Sequence, residues 1–163
     1  MEQLMAFLPP ETGETVLRLV VATLAGMAIG LNRDLKDKPI GMRTLGLVSL
    51  SSAMLVLSGS VYEGLFYGED AMSRVIQGIM TGLGFLGAGV ILRDRSRMEV
   101  QGLTTAATVW VAAALGIAAG LGAWMITGLG CTLALALLVL GKPVESFVNR
   151  LFGSRDPGKE TSG

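Results

Sequence analysis

The sequence predicts an all-α polytopic membrane protein: a bundle of five transmembrane helices with the N-terminus outside and the C-terminus inside. Three observations predict this. The 163 residues are 51% hydrophobic and only 16% charged, whereas a soluble domain carries about a quarter charged residues. Five apolar segments each approach the ~20 residues that a helix needs to cross a bilayer. The basic residues are also distributed unevenly. If five helices alternate, eleven of the thirteen Lys and Arg residues fall on one side, which is cytoplasmic by the positive-inside rule.

The elements follow in order. Thr15–Leu31 is the first apolar segment and leads into the basic loop Asn32–Arg43, which holds Arg33, Lys36, Lys38 and Arg43. Thr44–Val61 is the second and carries the hydroxyl group of residues Ser49, Ser51 and Ser52. An acidic outer loop with Glu63, Glu69 and Asp70 precedes the third segment, Val75–Leu92. The turn Arg93–Gln101 is basic again. Gly102–Gly122 and Trp124–Leu140 are the fourth and fifth segments, separated by a turn so short that a four-span arrangement is the competing reading. That arrangement would put the basic tail outside, against the charge rule.

Residues 1–141 thus form one transmembrane domain. Val144, Phe147, Val148, Leu151 and Phe152 then recur at helical spacing, so 142–153 is expected to be a short amphipathic helix on the inner membrane surface. Residues 154–163 are expected to be disordered. The N-terminus has no basic stretch before its apolar residues and does not resemble a cleaved signal peptide.

Small residues recur every fourth position on several helices: Gly26 and Gly30, Gly78 and Gly82, Gly116 and Gly120. Residues four apart share a helix face, so each stripe lets another backbone approach, within the bundle or in a homodimer or higher homo-oligomer. Five of the twelve residues from Gly78 to Gly89 are glycine. Two readings apply here: close packing, or a helix that bends or breaks near Gly84–Gly89 and exposes carbonyls to an ion.

The two basic turns also resemble each other. Arg33-Asp34 closes one helix and Arg93-Asp94 another. Gly41-Met42-Arg43-Thr44 and Gly102-Leu103-Thr104-Thr105 open the helices that follow. Helix hairpins 1–2 and 3–4 are therefore candidates for a parallel repeat.

Composition excludes several functions. Zero net charge, with no basic cluster mixed with aromatics, speaks against nucleic-acid binding. No nucleophile–base pair, redox motif or phosphate loop marks an enzyme. Histidine is absent and Cys131 is the only cysteine. No resident cofactor is expected.

Three ordered blocks resemble the MgtC/SapB family of bacterial membrane proteins: GLNRDLKDKPIGMRTLGLVSLSSAM, QGIMTGLGFLGAGVILR and VQGLTTAATVWVAAALGIAAGLG. They run from about Ala22 to Gly122. The resemblance implies a multi-pass protein of the bacterial cytoplasmic (inner) membrane linked to Mg²⁺ homeostasis, with Mg²⁺ as ligand or substrate. It also implies an alternative, a non-transporting regulator that binds another membrane complex such as the ATP synthase. Many members carry a soluble C-terminal domain that this sequence is expected to lack. Thr104 stands where the namesake type has Asn, Val111 where it has Cys, and Gln101 where Arg is usual.

The candidate ion path or gate consists of Asp34, Arg43, Thr44, Gln77, Thr81, Gly84, Gly87, Gly89, Arg93, Asp94, Thr104, Thr105 and Thr108. Asp34 is the one metal-ligand candidate. An acid at a helix C-terminus opposes the macrodipole, so Asp34 is expected either in an ion pair with Arg33, Lys38 or Arg43, or as a cation ligand or gate. The hydroxyls either bond back to their own helix or line a polar path. The sequence shows no carboxylate in mid-membrane, which limits Mg²⁺ binding there, because Mg²⁺ favours carboxylates plus retained waters.

Overall fold

The computed structural model describes residues 12–61, 69–94 and 99–152. The N-terminal residues Glu2 and Glu11, the loop residue Glu63, Arg95, Arg97 and the tail 154–163 lie outside them. Among the described residues five helices form: α1 (Thr12–Asp34), α2 (Met42–Val61), α3 (Glu69–Val90), α4 (Leu103–Gly120) and α5 (Trp124–Phe152). Two three-residue strands, β1 (Leu92–Asp94) and β2 (Glu99–Gln101), pair antiparallel between α3 and α4, with Arg93 opposite Val100.

Contacts at the two ends fix how the helices run. At one end the last turn of α1 meets the first turns of α2 and α4, through Asp34 and Met42 and through Arg33 and Thr105. At the other end Arg18, near the start of α1, reaches the C-terminus of α4 at Gly120. The helices therefore alternate in direction, and the basic loop residues gather at the end holding Arg33.

The core is the trio α1, α2 and α4, which meet along their small-residue faces. A Cβ on Gly26 would lie 2.6 Å from Ser49 Cβ, one on Gly30 2.6 Å from the Met42 nitrogen, and one on Gly116 2.8 Å from Ser49 Cα. The backbones are in contact, and only glycine permits it. Around these notches Ala22, Ile29, Leu45, Ala53, Val109 and Ala112 are buried. Ser49 Oγ ties two of the helices directly by donating to the Ala22 carbonyl at 2.6 Å. α3 packs mainly on α4, with Leu83 buried and Gly87 near Ala106 and Trp110. α5 lies along the outside of α4.

Among the described residues four helices are long and apolar enough to span a membrane: α1, α2, α4 and α5. α3 falls short, because Arg74, Gln77 and its glycines dilute its apolar content. The short turn after Gly120 does separate two helices. It is closed by Gly122 at φ 74°, whose amide bonds to the Ala119 carbonyl at 3.0 Å, the left-handed helix stop that glycine adopts readily.

The structure bears on three local expectations. α3 does not break near Gly84–Gly89 but runs unbroken to Val90. Glycine's helix penalty is a value for water, and in lipid each freed backbone group would lack a partner. The turn Arg93–Gln101 contains a short β-ladder, a different construction from the loop after α1. The described part of the expected amphipathic segment, residues 142–152, continues α5 through Pro143 without a break. Pro143 withholds only its own amide, leaving the Val139 carbonyl without its helical donor. At 29 residues and 1.5 Å per residue, α5 is about 44 Å long, beyond the ~30 Å hydrocarbon core.

Candidate functional site

The chemically unusual place in the bundle is the basic end of the α1–α2–α4 core, where an arginine is buried. Arg33 stands on the face of α1 that carries Gly26 and Gly30, one turn further on, so the packing that closes those glycines draws the guanidinium inward. It is 4% exposed. Its Nη2 donates to Thr105 Oγ1 at 2.5 Å, and the Thr105 carbonyl accepts from Thr108 Oγ1 at 2.7 Å. Arg33 Nε and the neighbouring Asn32 Oδ1 are buried without a hydrogen-bond partner among the described residues. Among the described residues the ion pair is Arg18–Glu14, at the other end. A buried charge is normally expensive, and among the described residues no carboxylate pairs with Arg33, which makes it a candidate functional position.

The surrounding loop is pinned on both sides. Asp34 Oδ2 accepts the Met42 amide at 2.8 Å, so the carboxylate caps the N-terminus of α2, where the helix dipole favours an anion. This replaces the expected ion pair with Arg33, Lys38 or Arg43 and accounts for an acid at the end of α1. Gly41 makes room for it: a Cβ there would lie 2.5 Å from Asp34 Cγ. Lys36 Nζ donates to the Leu138 carbonyl at 2.6 Å, beside the turn that Pro143 loosens. At the ladder's exit Gly102 takes φ 94°, and a Cβ on it would run into the Val90 carbonyl. The start of α4 has no side-chain cap.

The proposed path residues do not gather around this site. Thr105 and Thr108 belong to it. Arg43 and Thr44 are exposed on the first turn of α2, and Thr104 is exposed on α4. Gln77, Thr81, Gly84 and Gly89 are exposed on α3, and Gly87 is buried against α4. Arg93 and Asp94 lie in β1. Of the packing glycines, Gly26, Gly30, Gly116 and Gly120 meet neighbouring helices. Gly78 and Gly82 would have nothing within 4 Å of a Cβ.

Several hydroxyls bond within the bundle. Thr23, Ser51, Ser52, Thr127 and Thr132 donate to carbonyls of their own helices, which occupies their protons. Among the described residues no group of three or more His, Cys, Asp or Glu is placed to hold a metal. A cavity of about 490 Å³ opens between α4 and α5, lined by apolar residues such as Val111, Leu115, Leu133 and Leu137 with Thr104 and Thr108 at its edge.

Arg33 was outside the candidate path, though a signal existed. It extends the inward stripe Ala22, Gly26, Gly30 by one helical step, and a charge on a packing face is more informative than one in a loop. Arg18 was also missed. It donates from Nη1 to the Gly120 carbonyl at 3.0 Å and from Nε to Glu14 Oε1 at 3.0 Å, capping the negative end of α4.

Comparison with known proteins gives one family. The profile of the MgtC family matches residues 19–147. The chain is 44% identical over 129 residues to Protein SrpB of Synechococcus elongatus, covering 74% of this chain and 71% of that one. It is 44% identical over 113 residues to Protein SapB of Bacillus subtilis, covering 67% and 48%. To Protein MgtC of Salmonella typhimurium it is 35% identical over 136 residues, covering 83% and 56%. The chain thus spans about half the length of the last two. No solved structure matches.

Proposed function

This chain belongs to the MgtC family, and from that premise we propose that it serves Mg²⁺ homeostasis in the bacterial inner membrane as a regulator that binds another membrane component, and not as a pore for the ion. The observation supporting this reading is the closed α1–α2–α4 core with Arg33 buried at its basic end. Backbone contact at Gly26, Gly30 and Gly116 leaves no lumen between these helices. A divalent cation passing ~5 Å from the guanidinium, at an effective dielectric near ~20, would meet about 7 kcal/mol of repulsion. The cavity between α4 and α5 is apolar and suits a helix or an acyl chain better than a hydrated ion.

In this reading the exposed faces of α4 and α5 receive the partner, and the Arg33 cluster sets the geometry of the basic end. Deleting the gene in the host bacterium should slow growth in Mg²⁺-limited medium while the initial rate of Mg²⁺ uptake stays unchanged. A drop in uptake rate that the wild-type gene restores would overturn the regulatory reading in favour of permeation.

A further inference from the structure

α3 presents a face that lipid does not suit. Asp70, Arg74, Gln77 and Thr81 follow one another at helical spacing and all are exposed. Phe85 continues the line and is 84% exposed. Hydrocarbon offers Gln77 and Thr81 no hydrogen-bond partner, and α3 is also the helix that is not apolar enough to span alone. On the same face Gly78, Gly82 and Gly89 leave notches with no atom within 4 Å of a Cβ. We infer that this face is the interface with a second copy of the same chain, α3 against α3.

Two features fit this occupant. Copies inserted in the same orientation must pair in parallel, about a two-fold axis along the membrane normal. Asp70 and Arg74 then stand one turn apart at the same level in both copies. Identical residues stand level across such an axis, so the four charges form a net-neutral cluster in which each Arg74 reaches one turn along to the Asp70 of the facing copy. Gly78, Gly82, Phe85 and Gly89 also follow the alternating four- and three-residue spacing of a parallel helix seam. Each Phe85 enters the gap left by Gly82 and Gly89 of the facing helix, and small residues bring the backbones close enough for Gln77 and Thr81 to bond across. This inference does not depend on the regulatory reading, since a pore and a regulator could equally be dimers.

The test is cysteine crosslinking of the full chain in native membranes, in a Cys131→Ser background. Gly78→Cys and Gly82→Cys should give a dimer band under mild oxidation, whereas Leu129→Cys, exposed on α5, should give only the background of random collision. Equal bands at all three positions, or capture of a protein of a different size from the α3 positions, would overturn the proposal. A second readout needs no new thiol. Subunit counting in nanodiscs should find two copies per particle for the wild type. Arg74→Leu with Gln77→Leu should lower the dimer fraction about tenfold, the effect of losing interhelical polar contacts. Unchanged self-association in that variant would count against the interface.

Discussion

Adding one methyl group at Gly116 tests the packing that closes the core. A Cβ there would lie 2.8 Å from Ser49 Cα, with the Ser49 carbonyl oxygen nearer still, against 3.4 Å or more for an ordinary contact. The obstacle is backbone on α2, so no side chain can rotate away. Relief requires α4 and α2 to separate by about 0.6 Å or more, which also loosens the Gly120–Ala53 contact one turn along. Overpacking of this kind costs about 1–3 kcal/mol, and here the upper half applies because the clash is with main chain. Alanine's better helix propensity returns at most ~1 kcal/mol. Gly128→Ala on α5 is the matched control: nothing lies within 4 Å of its Cβ, so it should be neutral or slightly stabilising. The assay is reversible unfolding in mixed micelles, followed by the fluorescence of Trp110 and Trp124. Gly116→Ala should fall at least ~1.5 kcal/mol below Gly128→Ala. Equal stability of the two variants would refute the close contact of α2 and α4.

Further predictions concern the basic end and its opposite. Thr105→Val removes the acceptor of Arg33 Nη2, so it should destabilise by about 1–3 kcal/mol, whereas Arg33→Met removes the buried charge itself and should be close to neutral; the unfolding midpoints of the two variants should stand in that order. Asp34→Ala should lose about 1 kcal/mol through the α2 cap while Asp34→Asn keeps most of it, and an equal loss in both would point to a role for the charge beyond capping. Gly41→Ala should resemble Asp34→Ala in the same measurement, because its Cβ displaces the Asp34 carboxylate. Arg18→Met should lower stability by about 1 kcal/mol by uncapping the end of α4, and hydrogen exchange at Leu121 and Gly122 should rise with it.

Much of the bundle is legible in the sequence because apolar runs, charge asymmetry and four-residue spacing follow directly from the bilayer's demands. Gly26, Gly30, Gly116 and Gly120 show this: their spacing predicted close approach, and each meets a neighbouring helix. Gly78 and Gly82 have the same spacing and meet none. Periodicity tells which residues share a face and is silent on what covers it, so α3's place at the edge of the trio was not readable.

Other features depend on contacts distant in sequence. Arg33 meets Thr105 and Lys36 meets Leu138 only once the bundle has formed. Asp34 finds its partner eight residues on, in an amide that any residue but proline supplies, so an ion pair was the natural reading from charges alone. The continuation of α5 through Pro143 was hidden because proline usually ends a helix, yet here the helix runs on past the loss of one backbone bond.

The most direct test of a closed, non-conducting core is Mg²⁺ flux into liposomes carrying the purified, folded full chain and a trapped Mg²⁺ indicator. Entry should be no faster than in protein-free liposomes under an imposed gradient and membrane potential. Saturable Mg²⁺ entry that rises further when Arg33→Met removes the buried charge would contradict it, and would make the basic end the gate of a cation path.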